Sequence, residues 1–407
     1  MPRSLLDHID TQRDTVIDVQ RGLVAIPALG PTNGGQGETE KAAFLEGWLR
    51  GIGMADISRI DAPDDRVASG ARPNIAAVIP GADRSRTFWI ISHVDVVPSG
   101  DLGLWTSPPF ELRVDGDTLY GRGVEDNHQG IVASLVLAKT LLETRTVPPM
   151  NLGLLLVADE ETGSALGLDH VLAARPDLFR TNDLFLVPDF GAEDGTLIEV
   201  AEKSMFWVKV VVDGRQCHAS TPEQGVNSLV GAAAFIMKVR GLYDRFNLQN
   251  PLFSPPYSTF EPTRKDANVP NVNTIPGRDV FYIDCRVLAE YNLAEVMAAI
   301  EALGREVEAE HGVTISYEHT MREQAAPATP VDSDIVARLM RAIPAVLGRE
   351  PRPVGIGGGT VAAFLRRRGY EAAVWSTCSH TAHQPNERTR ISWQLADAKV
   401  MASALMA

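Results

Sequence analysis

The chain contains short, wholly apolar runs that end abruptly at charged residues, and these runs constrain the fold most. Residues 152–158 and 184–187 are the clearest examples. A run of about four to eight apolar residues is typical of a strand that is buried on both faces of a sheet. Apolar residues at helical spacing over 5–24, 41–50 and 130–142 supply helices to cover those faces. We therefore predict an α/β domain with a largely central sheet.

The pattern changes near Glu202. Strand and helix periodicities then alternate over 205–212, 227–242, 280–287, 292–311 and 313–317. A segment rich in proline, 251–276, lies between the second and third of these ranges and is predicted to be a loop. This order of elements predicts a small α+β sandwich.

The first pattern returns near the end of the chain. Helical and strand periodicities resume over 334–347, 372–376 and 392–406. We therefore predict one discontinuous α/β domain, formed by residues 1–202 and 319–407. Residues 203–318 are predicted to be a domain inserted into it.

Composition excludes several classes of protein. The formal net charge of the 407 residues is −14, whereas binding to nucleic acid phosphates needs a basic surface. No stretch approaches the roughly 20 apolar residues of a membrane helix, and the first residues lack the apolar core of a signal peptide. The 3 cysteines form no disulfide or zinc pattern and fit a reducing compartment. We expect a cytoplasmic protein with no nucleic acid or membrane partner.

Acidic residues and histidines follow the predicted strands in five places. These places are Ser92-His93-Val94-Asp95, Gly121 to Asp126, Asp159 to Gly163, Pro188-Asp189 and His380 to Glu387. Each cluster alone has an ordinary explanation, such as a helix cap at Asp126 or a solvated acidic turn. Ligands of open α/β sheets gather at the carboxyl ends of strands. Five clusters in one domain therefore predict a single functional site.

The residue types in these clusters indicate metal chemistry. On extended backbone, His93 and Asp95 point the same way, and a metal-bound histidine usually needs a carboxylate or carbonyl on its other nitrogen. Carboxylates in a row at the end of a buried strand repel one another unless cations compensate them. Because neighbouring side chains diverge, Glu160 and Glu161 can do different work. One can hold metal while the other handles a proton.

The ordered segments SHVDVVP, GRGVED, DEETG, PD and HTAHQPNE resemble those of the zinc aminoacylase, desuccinylase and carboxypeptidase family of di-metal peptidases. The resemblance spans nearly the whole chain. It implies a discontinuous di-zinc exopeptidase-like catalytic domain that carries an inserted α+β dimerisation or lid domain. It also implies two divalent metal ions, with zinc expected and cobalt or manganese as alternatives.

The resemblance assigns roles residue by residue. It implies that His93, Asp126 and Asp189 hold one metal and that Asp126, Glu161 and His383 hold the other, with Asp126 as the bridge. Asp95 would orient His93, and Glu160 would be the general base. His128 and His380 are not expected to be ligands, because this set is complete without them.

A second resemblance lies in the predicted inserted domain. Residues 214–225 are similar to the family segment whose histidine reaches the active site of the partner subunit, which implies a homodimer with His218 in that role. Positions that bind the carboxylate or backbone of the substrate in the family match Asn273, Arg286, Gly359 and Thr360. Without the resemblance, His218 and Arg286 would be read as surface polar residues.

The sequence departs from the family pattern near the site. Asn127-His128-Gln129-Gly130 stands where many members have Met-Lys-Gly after the bridging aspartate, and Val361 stands where many have aspartate. Asp189 is a glutamate in many deacylases and carboxypeptidases and an aspartate in several di- and tripeptidases. Substrate preference is therefore expected to differ from the common members, with a slight tilt towards peptides.

Several functions follow from these observations. The first is hydrolysis of the amide bond of small N-acyl amino acids or short peptides that carry a free carboxylate. The second is a di- or aminopeptidase in the same scaffold. A third, from another class, is a non-catalytic metal- or ligand-binding protein. A fourth treats residues 355–360 as a phosphate cradle, although they lack the lysine of a P-loop.

Overall fold

The computed structural model describes residues 3–407. Within this range, helices α1 to α11 span, in order, Arg3–Asp10, Arg13–Val24, Thr39–Gly51, His128–Glu143, Leu168–Ala174, Ser228–Val239, Leu242–Arg245, Leu293–His311, Asp334–Leu347, Ala362–Arg367 and Ile391–Met406. Strands β1 to β19 span, in order, Asp56–Arg59, Ala62–Pro63, Ala71–Arg72, Ile75–Ile79, Asp83–His93, Arg113–Asp115, Thr118–Tyr120, Met150–Val157, Leu184–Gly191, Leu197–Glu202, Ser204–Asp213, Cys217–His218, Thr259–Lys265, Thr274–Ile275, Arg278–Val287, Thr314–Glu323, Arg352–Ile356, Ala372–Ser376 and Arg388–Arg390. None of these helices is both long and apolar enough to cross a membrane.

The described chain divides into two compact units. The first unit contains the described residues up to Val200 together with Thr329–Val354 and Thr360–Ala407. The second unit contains Ala201–Ala328 and Gly355–Gly359. The predicted inserted domain, 203–318, lies inside the second unit.

The large sheet has eight strands in the order β1-β4-β8-β5-β9-β18-β10-β17. Its central strands β8, β5, β9 and β18 are parallel, whereas β4 and β10 join them in the antiparallel sense. All eight residues of β8 are buried. Burial on both faces favours apolar residues at consecutive positions, which explains the apolar run that begins at Leu152.

Helices cover both faces of this sheet. On one face, α4 packs on β5, β8 and β9, with α2 and α11 behind it. On the other face, Trp89 and Ile91 of β5 pack with α5 and α10 in one apolar cluster. Full burial of each large apolar side chain contributes roughly 1.5–3 kcal/mol, so this layering holds the strand ends firmly in place.

The second unit contains an antiparallel sheet in the order β13-β15-β11-β16. Residues of β11 alternate between buried and half-buried over most of its length, and α6 and α8 pack together on the core that its buried face forms. The prediction of a loop over 251–276 was wrong, because this segment includes β13. Pro262 lies there at a register shift on an edge strand, where a missing N–H is tolerated.

The predicted helix over 5–24 is two helices. The chain turns between α1 and α2, where the backbone N–H of Thr11 donates to His8 and that of Gln12 donates to Ile9. Apolar residues on both sides of the turn are buried, including Leu5 and Val16. The apolar spacing is therefore similar on both sides of the turn, so the sequence pattern did not indicate that the helix is interrupted.

Candidate metal centre

Four of the five predicted metal ligands lie at or after the carboxyl ends of the four parallel strands of the large sheet, whereas Asp126 lies just before α4. His93 is the last residue of β5, and Asp189 lies near the end of β9. Glu160 and Glu161 follow β8, and His383 follows β18. Parallel strands bring their carboxyl ends to one edge of the sheet, which is where open α/β sheets bind ligands.

Three groups of side chains each bring three possible ligand atoms within 4.8 Å of one another. They are His93–Asp126–Asp189, His93–Glu160–Glu161 and Asp126–Glu161–His383. The first and third groups contain the same residues as the two ligand sets that the resemblance implied. Among residues 3–407, neither His128 nor His380 belongs to such a group.

Asp126 faces both imidazole rings with separate oxygens. Its Oδ1 lies 2.8 Å from His93 Nε2, and its Oδ2 lies 3.0 Å from His383 Nε2. Asp189 Oδ1 is 3.5 Å from His93 Nε2, and Glu161 Oε2 is 3.1 Å from His383 Nε2. Asp126 thus presents one oxygen to the pair His93 and Asp189 and the other to the pair His383 and Glu161. A ligand that bridges two metal ions requires this arrangement.

These side chains change one another's pKa values strongly. Burial lowers the pKa of His93, but the adjacent Asp189 and Asp126 outweigh burial and raise it well above its usual value. Hydrogen bonds to Asp126 and Glu161 raise the pKa of His383 to about 10. The carboxylates therefore demand positive charge between them. Divalent cations meet the same demand, and imidazole with carboxylate is a donor set suited to zinc.

Glu160 differs from the other carboxylates in its balance of charges. Burial raises its pKa well above the usual value, His93 opposes the rise, and Asp189 and Glu161 add to it. A carboxylate with a raised pKa among other ionisable groups is a candidate for a general base.

Asp95 contacts its neighbours in a way that the sequence did not indicate. His93 Nδ1 lies 3.0 Å from the backbone oxygen of Asp95, whereas the nearest carboxylate oxygen is 3.6 Å away. The two carboxylate oxygens instead accept the backbone N–H groups of Glu160 and Glu161, both at 3.0 Å. Asp95 therefore orients His93 chiefly through its carbonyl and fixes the following turn through its side chain.

Two buried side chains next to the ligands had no assigned role. Asn127 donates from Nδ2 to Asp189 Oδ1 at 2.6 Å, which fixes the orientation of that carboxylate. His128 Nε2 lies 2.8 Å from the buried ammonium of Lys41. Both residues occupy positions where the sequence departs from the family pattern. That departure was the feature of the sequence that could have drawn attention to them.

His218 and Asn273 lie together in the second unit. His218 in β12 pairs with Thr274 in β14, and the N–H of Ala219 donates to the backbone oxygen of Asn273 at 2.9 Å. The Nδ1 of His218 accepts the N–H of Ser220 at 3.1 Å. This contact places the ring proton of a neutral His218 on Nε2, which makes Nε2 a hydrogen-bond donor.

Arg286 is already engaged within the second unit. Its Nε and Nη2 donate to the two carboxylate oxygens of Asp284 at 2.9 and 3.0 Å. Its Nη1 donates to the backbone oxygen of Gly357 at 2.8 Å. Three of its five N–H groups are therefore used, and a substrate carboxylate would meet the remaining two.

The last two predicted substrate contacts, Gly359 and Thr360, adjoin each other in sequence but fall in different units. A side chain at Gly359 would come within 3.3 Å of Met205, so glycine keeps this approach open. The buried hydroxyl of Thr360 accepts the N–H of Ala362 at the start of α10.

Comparisons with known proteins show which family the chain resembles. Residues 89–407 match the family described as Peptidase family M20/M25/M40. An uncharacterized metallohydrolase of Methanococcus maripaludis is 40% identical over 93% of this chain and 95% of its own length. A succinyl-diaminopimelate desuccinylase of Cereibacter sphaeroides is 26% identical over 91% and 92% of the two chains. The solved structure of human carnosine dipeptidase 1 superposes with a TM-score of 0.75 at 18% identity and covers 99% of this chain and 97% of its own.

The sheet and its strand-end cluster of histidines and carboxylates define a metal-dependent hydrolase of the amidohydrolase and peptidase class. More particularly, the chain belongs to peptidase family M20/M25/M40. The likeness to the human dipeptidase shows the shared fold, since its identity is low. The family binds divalent metals, and the donor groups described above fit them.

Proposed function

We propose that the chain hydrolyses the amide bond of small N-acyl amino acids or short peptides that carry a free carboxylate. The observation that carries the proposal is the position of Asp126, whose two oxygens face His93 and His383 separately. This arrangement supports two metal sites that share one carboxylate. His93, Asp126 and Asp189 would hold one ion, and Asp126, Glu161 and His383 would hold the other.

Zinc is the expected metal, with cobalt and manganese as alternatives, because the ligands are imidazoles and carboxylates. When bound, the ions would lower the pKa of a water molecule and polarise the scissile carbonyl. Glu160 takes a proton from the attacking water and delivers it to the leaving amine. Glu160 converges with His93 and Glu161 in one of the three ligand groups, so it would lie beside the proposed ions. Asp95 holds Glu160 and Glu161 in place through their N–H groups.

We further propose that the chain is a homodimer in which His218 donates from Nε2 to the developing oxyanion in the partner's site. The contact of Nδ1 with Ser220 supports this role, because it leaves Nε2 as the donor. Helix α6 supports the dimer, since it exposes Leu229, Val230 and Met237. Strand β16 is an edge of its sheet and is open to pairing.

Asn273, Arg286, Gly359 and Thr360 are proposed to contact the carboxylate or backbone of the substrate. The second candidate is a di- or aminopeptidase in the same scaffold. It is favoured by Asp189, the aspartate that lies at the ligand position beside His93.

A competition assay tests the proposal. Zinc-loaded protein is incubated with acetyl- and succinyl-amino acids and unblocked dipeptides in one vessel, and mass spectrometry follows each compound. Consumption of the blocked compounds supports a deacylase, and consumption of the dipeptides supports a peptidase. The proposed hydrolysis is wrong if none of these compounds is consumed, either by the zinc-loaded protein or after its metal is removed with a chelator and zinc is added again.

A further inference from the structure

Two buried carboxylates, those of Glu125 and Glu387, form hydrogen bonds between the segment that carries Asp126 and the segment that carries His383. Glu387 lies four residues after His383, and Glu125 directly precedes Asp126. Neither carboxylate belongs to any of the three groups of possible metal ligands. Each binds the segment that holds the other ligand.

Glu387 holds the backbone that leads to Asp126. Its Oε1 accepts the N–H groups of Glu125 and Asp126 at 2.9 and 3.1 Å. Its Oε2 accepts the N–H of Gly123 at 2.9 Å and Nη1 of Arg122 at 2.6 Å. The side chain of Glu387 is fully buried, so these four donors are the partners that compensate its loss of water.

Glu125 holds the backbone that leads to His383. Its carboxylate accepts the N–H of Thr381 at 3.2 Å and the hydroxyl of Thr381 at 2.8 Å. It also accepts the hydroxyl of Ser379. These partners lie two and four residues before His383.

The loop around His383 needs such contacts to keep its conformation. His380, His383 and Asn386 have φ values of 58°, 63° and 59°. Residues other than glycine disfavour this left-handed region, so they remain there only when the surroundings hold them. Glu125 binds the loop before His383, and Glu387 anchors it after His383.

We propose that Glu125 and Glu387 form a reciprocal clamp that fixes the separation of Asp126 and His383 and thereby the affinity for metal. Both are positioning residues, since they act through the ligands. This inference rests on the proposed ligand assignment.

The two carboxylates of the clamp should differ in how well they tolerate replacement by glutamine. All partners of Glu387 are obligate donors, so Glu387→Gln places an amide N–H group against other N–H groups. The hydroxyls beside Glu125 can accept as well as donate, so Glu125→Gln keeps most of the contacts, whereas Glu125→Leu loses them all.

Calorimetric titration of the metal-depleted full chain with Co²⁺ tests the clamp. We expect Glu125→Leu to weaken one binding step by about 10–100-fold, as outer partners of metal ligands commonly do. Glu125→Gln should restore that step to nearly the wild-type value. Glu387→Gln should weaken both steps, because Asp126 serves both sites.

Asp183→Asn is the matched control. Asp183 is also buried and accepts two backbone N–H groups, from Thr87 and Arg180. It directly precedes β9, at the end of the large sheet opposite to the metal ligands. We expect this variant to lower Tm and leave both Co²⁺ affinities unchanged.

The outcomes separate the clamp from the ligand assignment. If Glu387→Gln and Glu125→Leu lower Tm but keep wild-type affinities, as the control does, the clamp is wrong. If Glu387→Gln does not fold, the comparison of Leu with Gln at position 125 decides alone. If the wild-type chain binds no Co²⁺, the ligand assignment fails and the clamp fails with it.

Discussion

The two units hold their candidate functional residues in opposite ways. In the first unit, His93 and Asp126 are held by contacts between segments that are distant in sequence. In the second unit, the exposed His218 has neighbours from its own turn, such as Ser220, and from the short strand beside it. The first site is preorganised within one chain, whereas the second presents a donor to solvent. Such exposure is what the proposed role of His218 at the site of a partner subunit requires.

The largest effect is expected from Glu160→Gln. Loss of a general acid–base lowers kcat by about 10²–10⁴-fold, and the amide is nearly the same size, so the metal content should stay the same. Turnover kinetics and metal analysis of the same sample measure both. Unchanged turnover would rule out Glu160 as the base.

His218→Ala probes the second region directly. Loss of one oxyanion donor lowers kcat by about 10²–10³-fold. If sites are shared between subunits, mixing this variant with Glu160→Gln restores part of the activity. The control is His311→Ala, at the end of α8, which should retain wild-type kinetics. Heterodimers that form but stay inactive would contradict action across subunits.

Arg286 gives a smaller, more selective effect. A charged hydrogen bond contributes about 1.5–3 kcal/mol, so Arg286→Ala should raise KM at least tenfold for substrates with a free carboxylate. Amidated forms of the same substrates serve as the control, and their KM should hardly change. An equal rise for both forms would mean that Arg286 supports the loop at Gly357 instead.

The last prediction concerns stability rather than catalysis, at a buried carboxylate of the first unit outside the ligand groups. Burial raises the pKa of Asp397 from 3.8 to about 7. The folded state then binds this proton more tightly than the unfolded state, so stability declines as the pH rises from about 4 to about 7. The two pKa values differ by about three pH units, which corresponds to about 4 kcal/mol, so we expect the free energy of unfolding of Asp397→Asn, relative to wild type, to improve by about that much across this window. Urea unfolding at both ends measures it, and an opposite sign would contradict the shift.

The sequence predicted the large sheet and the strand-end clusters because both depend on local patterns. Apolar runs mark buried strands, and the residues that follow them meet at one sheet edge whatever the loops do. The resemblance then supplied roles that spacing alone left open.

Other features could not be predicted because they depend on contacts between distant segments. The N–H group of Glu160 donates to the carboxylate of Asp95, and that of Asp126 donates to Glu387. Both contacts join segments that only the folded chain brings together. Strand β13 was missed for a different reason. Its proline suggested a loop, and only its position at a sheet edge makes that residue acceptable.

Metal stoichiometry tests the central claim, that Asp126 bridges two ions, most directly. Metal-depleted wild-type chain, Asp126→Ala and Asp189→Ala are titrated with Zn²⁺ and analysed for bound metal. We expect two ions per wild-type chain, one ion retained by Asp189→Ala, and loss of tight binding at both sites in Asp126→Ala. Two tightly bound ions in Asp126→Ala would contradict it.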